Sequence, residues 1–181
     1  MRILTIGIKE LNRDKFIPCN DTGTMINKPP FGTCLWGSTM IKFPGGYVSS
    51  DWGRYCQNCF DNKNYPYGIS YTLKKSARIF EVDTLDDYRK LLEDYGCTGF
   101  RKTEIDFYKL SQDYDAFHLT EEAFWKMRLP GFMATEEEYE FFFENHNADF
   151  YAYDAESWII FNLECINEGS ILNHNNVEYR Y

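Results

Sequence analysis

Six cysteines have the widest range of possible chemistry in this chain, and two of them, Cys56 and Cys59, are separated by only two residues. A Cys-x-x-Cys pair is typical of zinc sites and of redox motifs. A structural zinc site needs four ligands, and neither a second such pair nor histidines at ligand spacing accompany this one. The pair also lies in an aromatic helical segment and does not begin a helix after a strand, as a redox pair would. We therefore predict that both are core thiols and that no metal is bound.

Acidic residues dominate the charge of the chain. Asp and Glu number 28 against 19 Lys and Arg, which gives a formal net charge of −9. This charge repels phosphate backbones, and no Lys- or Arg-rich segment compensates for it locally. We therefore expect no direct binding to a nucleic-acid backbone, whereas a basic protein partner is electrostatically favoured.

The N-terminal residues do not resemble a secretion signal. The short apolar run Ile3–Ile8 is followed at once by Lys9 and Glu10, and a signal peptide needs a longer apolar segment. No transmembrane segment is expected either. These features predict a cytoplasmic protein that does not bind membranes and whose thiols stay reduced.

Hydrophobic patterns predict a single α+β domain over residues 1–181, because strands and helices mix without a regular βαβ repeat. Aromatic residues make up 18% of the chain, which indicates a well-formed core. Residues 157–162 are apolar on both faces of a strand and should lie at the centre of the sheet. Strands are predicted at 1–10, 32–41, 47–49, 68–73, 77–82, 114–119 and 157–162, helices at 52–60, 84–95, 105–112, 121–127 and 135–144, and a long loop at 12–30.

Three separated parts of the chain, at 35–39, at 46–50 and at 113–117 with 154–166, together resemble the ADP-ribosyltransferase toxin superfamily in its phage and bacterial forms. The first, Leu35-Trp36-Gly37-Ser38-Thr39, is similar to the family's first catalytic strand. The second, Gly46-Tyr47-Val48-Ser49-Ser50, resembles a Gly-aromatic-x-Thr/Ser strand that runs into a helix, and the strands over 68–82 are expected to pair after it. The third combines Asp113–Phe117 with Asp154–Ile166, similar to the family's closing Tyr-Asp-Gly-Ile and Glu-Tyr-Val-Val-Phe-Asn-Pro segments. Order and spacing agree over about residues 32–166.

The resemblance implies a mixed, split β-sheet core flanked by short helices, and transfer of ADP-ribose from NAD to an unknown acceptor. Such chemistry requires a carboxylate beside the ribose to stabilise developing positive charge. Glu156 matches that carboxylate, and Asp154, on the same strand face, matches the residue that guides the acceptor in arginine-modifying members. The implied NAD contacts are Trp36, Gly37, Ser38, Tyr47 and Ser49. In this set, Tyr47 would stack on nicotinamide, and Gly37 would let the backbone approach the carboxamide.

Trp36 departs from the family pattern, which has His or Arg at this position. An indole has one donor and replaces neither of them. The alternative is a non-catalytic, acidic and aromatic-rich interaction or inhibitor protein with a degenerate cleft, for example a phage anti-defence protein. An indole that fills the cleft would favour this alternative, whereas an open cleft with Tyr47 and Glu156 facing each other would favour the enzyme.

Structural roles compete with functional ones at single residues. Tyr47 can be a packing ring in a chain so rich in aromatics. His118, in an apolar strand, is predicted to be a satisfied buried or rim histidine and not a catalytic base.

Overall fold

A sheet of seven strands forms the centre of the fold, in a computed structural model that describes residues 1–23, 27–59, 66–99, 102–128, 135–150 and 152–178, with the backbone alone for 56–59. The strands of the described ranges are β1 (Ile3–Ile6), β2 (Leu35–Thr39), β3 (Ile41–Lys42), β4 (Val48–Ser49), β5 (Gly68–Tyr71), β6 (Ile79–Val82), β7 (Gly96–Thr98), β8 (Thr103–Ile105), β9 (Ala116–Leu119), β10 (Ser157–Ile160) and β11 (Leu172–His174). The sheet has the order β11-β5-β1-β2-β10-β9-β6. Its neighbours are antiparallel except β6 and β9, which are parallel. The pairs β3–β4 and β7–β8 form two small separate sheets.

Strand β2 pairs with β10 on one edge and with β1 on the other, over different parts of its length. Residues 35–37 pair with β10, whereas Ser38 and Thr39 pair with β1. The two parts of the sheet, β11-β5-β1 and β10-β9-β6, therefore meet at this one strand. Beyond Gly37 the ladder between β2 and β10 ends, and the residues that precede β10 lie beside the end of β2.

The helices begin where capping residues satisfy the first free backbone amides. The side chains of Thr84, Thr120 and Thr135 each accept a hydrogen bond from the backbone N–H three residues later, so the predicted starts of these three helices are confirmed. The helices are α1 (Asp51–Cys59), α2 (Leu85–Tyr95), α3 (Phe107–Asp113), α4 (Glu121–Met127) and α5 (Glu136–Tyr139), which continues as a π-helix over Glu140–Glu144. Short 3₁₀ turns lie at Arg13–Lys15, Leu163–Cys165 and Glu168–Ser170.

Apolar side chains cover both faces of the sheet. On one face, Phe117 and Ile159 pack in a cluster with buried residues of α2, α3 and α4. On the other face, Ala116, Trp158 and Ile160 pack with residues of β1 and β5 and with the turn at Leu163–Cys165. All four residues of β10 are buried, and β10 lies between β2 and β9. The prediction that this strand is central is confirmed, as is the α+β class with a mixed sheet.

The predicted pairing of the strands over 68–82 is wrong. Strand β5 pairs with β1 and β11, whereas β6 lies at the opposite edge of the sheet and pairs with β9. The short link between the two strands does not form a hairpin. Phe80 and Val82 of β6 pack instead in the cluster that contains residues of α2, α3 and α4. The C-terminal tail, for which no strand was predicted, adds the edge strand β11.

Candidate functional site

The carboxylate of Glu156 is buried directly before β10. The register that pairs Gly37 with Trp158 places Thr39 opposite Glu156 when the ladder is extended by two residues. The Thr39 backbone N–H donates to Glu156 Oε2 at 2.7 Å, and the Thr39 hydroxyl donates to Oε1 at 2.8 Å. The Ser38 hydroxyl donates to the backbone carbonyl of Glu156 at 2.5 Å. The end of β2 therefore fixes both the backbone and the side chain of this acidic residue.

His118 lies on the other side of the same carboxylate. Its Nε2 is 2.7 Å from Glu156 Oε1, and its Nδ1 is 2.8 Å from Glu81 Oε2. The register pairs Glu81 with His118 and His118 with Trp158, so these side chains share one row and one sheet face. The imidazole also stacks on the Trp158 indole, with the ring centroids 3.8 Å apart and the planes 13° from parallel.

Two small cavities have Glu156 in their walls. One, of about 230 Å³, is lined by Thr39, Ile41, Asp51, Arg54, His118, Glu121 and Glu156. The other, of about 170 Å³, is lined by Asp51, Arg54, Tyr55, Glu121, Phe124, Trp125, Arg128, Asp154, Ala155 and Glu156. Burial raises the pKa of Asp51, and the nearby carboxylates of Glu121 and Glu156 raise it further against the effect of Arg54. These cavities are acidic, with arginines at their walls.

A third, larger cavity of about 460 Å³ has mainly apolar and aromatic walls. Trp36, Trp52 and Tyr153 line it, together with Lys28 and Asp154. The Lys28 ammonium lies 5.7 Å from the Trp36 ring centroid and 5.3 Å from that of Tyr153. Burial lowers the pKa of Lys28, whereas Asp154 raises it. Because Asp154 also lines the 170 Å³ cavity, the segment that precedes β10 forms part of the wall of both spaces.

Two buried polar atoms of the described residues have no hydrogen-bond partner, and each belongs to a residue that lines a cavity. They are the Tyr153 hydroxyl and Arg128 Nε, whose residues line the 460 Å³ and the 170 Å³ cavity. Most buried polar groups in proteins are paired, so an unpaired one is costly. Both atoms have almost no accessible surface, so they are unpaired groups of the protein interior and not ligand contacts.

Three of the NAD contacts implied by the sequence, Trp36, Gly37 and Ser38, line the 460 Å³ cavity. The Trp36 ring is a wall of this open space and packs against Tyr153, with ring centroids 5.8 Å apart. The lack of a side chain at Gly37 has a structural cause, because a Cβ there would lie 2.6 Å from Ile3 Cγ2.

Tyr47 and Ser49 lie in the β3–β4 hairpin. Ser49 is fully buried, and its hydroxyl contacts the backbone carbonyl of Ser50 at 3.5 Å. Tyr47 is 40% exposed at the turn end of the hairpin, where its ring lies against Gly45. It is not among the lining residues of the two cavities that contain Glu156. The structure thus brings Asp154, Glu156 and the β2 residues together, and leaves Tyr47 outside this group.

Sequence reasoning did not assign Thr39, Glu81 or the exposed Trp125 to the site. His118 was predicted to be a satisfied buried histidine, and both of its nitrogens do have partners. Its link to Glu156 was missed, since only the pairing of β9 with β10 brings the two together. The alternation of side chains along β6, β9 and β10 contained a signal for this link. It puts Glu81, His118 and Trp158 in one row across three neighbouring strands.

The described cysteine side chains, Cys19, Cys34, Cys97 and Cys165, are free thiols. The side chains of Cys56 and Cys59 lie outside the described residues. Within the described ranges, no group of three or more His, Cys, Asp and Glu side chains could hold a metal ion. No helix in the same ranges is long and apolar enough to cross a bilayer.

Comparison of the chain with protein families, curated proteins and solved structures found no match.

Proposed function

We propose that this protein transfers ADP-ribose from NAD to an acceptor and that Glu156 is its catalytic carboxylate. The observation on which the proposal depends is the setting of Glu156, the residue that the sequence resemblance assigns to this role. Its side chain is only 5% exposed, is held by donors from Thr39, and borders two cavities. A carboxylate fixed in this way beside a cavity is suited to stabilising positive charge without reorganisation.

The chemistry requires little else from the chain. The bond between the nicotinamide nitrogen and ribose C1′ breaks, its electron pair stays on nicotinamide, and positive charge develops on the ribose. The acceptor then bonds to C1′ and releases one proton. Glu156 would stabilise the positive ribose from the side of the two acidic cavities.

The 460 Å³ cavity is suited to the rest of the dinucleotide. The Trp52 ring, 38% exposed in the wall of this cavity, offers a flat apolar surface for the adenine base. The Lys28 ammonium, at the same wall, would face the diphosphate. Asp154 lies between this space and the cavity at Glu156, so a donor that reaches from one to the other would pass it.

The mixed sheet whose two parts meet at β2 agrees with the split sheet that the resemblance implies. Trp36 stands where the family has His or Arg, and its ring forms a wall of open space. The open space at Trp36 supports the enzyme over a protein whose indole fills the cleft. The other part of the criterion, a Tyr47 ring that faces Glu156, is not met, because Tyr47 does not line the cavities at Glu156.

The test is release of nicotinamide and transfer of label from NAD labelled in its adenylate part, with the purified protein and a cell lysate as the source of acceptors. Glu156→Gln should lower both rates by at least about 100-fold, the typical loss when an electrostatic stabiliser is removed. Glu121→Gln removes an exposed carboxylate from the same cavities and should leave most of the activity. Wild type that neither releases nicotinamide nor transfers label would refute the proposal.

The ring that stacks on nicotinamide can be identified with two further variants. If the stacking ring is Tyr47, Tyr47→Ala should raise KM for NAD about tenfold, whereas Trp36→Phe should change it little. If the ring is Trp36, the order of the two effects should be reversed. The position of Tyr47 outside the cavities at Glu156 favours the second result.

The second candidate function is an acidic interaction or inhibitor protein. Its specific support is the exposure of Phe31 and Trp125, at 81% and 65%, in the walls of the two cavities that Asp154 also lines. A thermal shift separates the two functions, because a ligand at 100 times its Kd should stabilise the fold by about 2.7 kcal/mol. Absence of any shift with NAD, together with capture of a basic protein that Trp125→Ala abolishes, would favour the inhibitor.

A further inference from the structure

The hydrogen-bonded chain from Glu81 through His118 to Glu156 extends from the surface to the buried carboxylate. Glu81 has 53% of its side chain exposed, whereas His118 and Glu156 have 6% and 5%. Both ends of the imidazole are therefore held by carboxylates, one in solvent and one in the site. The Trp158 ring covers one imidazole face, so the ring has a single orientation.

The protons of this chain are restricted by geometry. Each of the two contacts, at 2.7 and 2.8 Å, needs one proton between nitrogen and oxygen. A neutral imidazole has only one N–H. The three groups therefore share two protons across these contacts: both lie on His118, or one of them lies on a carboxyl group.

We infer that His118, oriented by Glu81, is a positioning residue that holds the Glu156 carboxylate in its reactive orientation. The inference rests on the proposed function in calling this orientation reactive, whereas the contacts themselves are those of the protein without NAD. The Thr39 N–H holds one carboxylate oxygen, and His118 with the Thr39 hydroxyl holds the other. Without His118, Oε1 keeps only the hydroxyl of Thr39, and the carboxylate can turn toward the adjoining cavities. Loss of an outer partner of this kind typically lowers activity about 10–100-fold.

Chemical rescue distinguishes positioning from simple filling of space. His118→Gly opens a hole of imidazole shape against Trp158 and should lower kcat for nicotinamide release about 10–100-fold, with KM for NAD changed less than about threefold. Added imidazole should restore most of kcat. Added 1-methylimidazole fills the hole and stacks but cannot donate from both nitrogens, so it should restore little. Equal rescue by both compounds would overturn the inference.

The matched control is His146→Gly. His146 is exposed and has a positive φ of 54°, where glycine is well tolerated. This variant should keep the activity of wild type and should not respond to imidazole. A similar loss in both variants would assign the effect to stability and would contradict positioning by His118.

Nuclear magnetic resonance of the free protein tests the same chain without NAD. The imidazole N–H protons of His118 should be slow to exchange, since the ring is buried. Glu156→Gln should shift the signal of the Nε2 proton, and Glu81→Gln should shift that of the Nδ1 proton. If neither substitution moves a His118 signal, the chain does not form and the inference is wrong, even if NAD is consumed. If the signals move but NAD is not consumed, the proposed function fails and the held carboxylate remains.

Discussion

Replacement of Tyr153 by phenylalanine should stabilise the protein, although the residue is completely buried. The Tyr153 side chain has no exposed surface, and its hydroxyl has no hydrogen-bond partner. Burial raises the pKa of this hydroxyl well above its ordinary value, so the group is a neutral, unpaired donor in the folded state. Tyr153→Phe removes this group and keeps the ring that packs on Trp36 and Phe150.

The size of the gain follows from the cost of an unpaired polar group. An orphaned buried hydroxyl costs about 1–3 kcal/mol relative to its hydrated state. Its removal leaves a void of roughly 10 Å³, which at about 24 cal/mol per Å³ costs only about 0.2 kcal/mol. We therefore expect a net gain of about 1 kcal/mol, which raises Tm by about 2–4 °C in a domain of this size.

Tyr88→Phe is the matched control, because Tyr88 is equally buried but fully paired. Its hydroxyl donates to the Ala148 carbonyl at 2.5 Å and accepts from Asn27 Nδ2 at 3.0 Å. The substitution removes the donor to the Ala148 carbonyl and one of the two acceptors of Asn27 Nδ2, and it should destabilise the protein by about 1–3 kcal/mol. The two substitutions remove the same atom and should have opposite signs.

The assay is urea unfolding followed by tryptophan fluorescence, in which a change of midpoint at constant m reports stability. If Tyr153→Phe is destabilised as much as Tyr88→Phe, the hydroxyl has a partner in the folded protein and the reasoning is wrong.

Two further predictions concern the elements that hold the site. Burial raises the pKa of Asp115, but hydrogen bonds from Arg78 and Asn162 outweigh this effect and keep the pKa below its ordinary value. The ionised carboxylate therefore stabilises the fold at any pH above the unfolded pKa of about 3.9. This contribution is lost as the pH falls through the lower pKa of the folded state. Asp115→Asn should be less stable than wild type at pH 7, and urea unfolding should show the difference shrinking below about pH 4; a constant difference would contradict this origin. Gly37→Ala should destabilise the protein by about 1–3 kcal/mol, because the added Cβ would meet Ile3 and the Leu4 carbonyl. If this variant unfolds at the same temperature as wild type, β1 can shift to make room for the Cβ and the prediction is wrong.

Local structure could be read from the sequence because local interactions determine it. Helices α2 and α4 begin within one residue of their predicted starts, and the buried residues of α2 are Tyr88, Leu91 and Tyr95. The central position of β10 was also predictable, because a strand that is apolar on both faces needs cover on both. Each of these features depends on neighbours within a few residues.

Strand pairing could not be read in the same way. Strands β5 and β6 are close in sequence, but their partners, β1 and β9, come from opposite parts of the chain. The site has the same limitation. The resemblance named Glu156, whereas its partners Thr39 and His118 depend on the registers of β2 and β9 against β10, which no local pattern specifies.

The place where the ladder between β2 and β10 ends explains why a buried carboxylate can exist here. A strand that stayed paired with β10 would cover the segment before Ser157 with backbone hydrogen bonds and leave no amide for a side chain. Because the ladder with β10 ends after Gly37, the Thr39 N–H on that edge of β2 is free to bind the Glu156 carboxylate. The opposite edge of β2 stays paired with β1 at Ser38 and Thr39, which holds the end of the strand in place. The residues beyond the end of the ladder, Asp154 to Glu156, line a cavity. Thus the early end of one ladder supplies the donor for the acidic group and places that group beside a cavity.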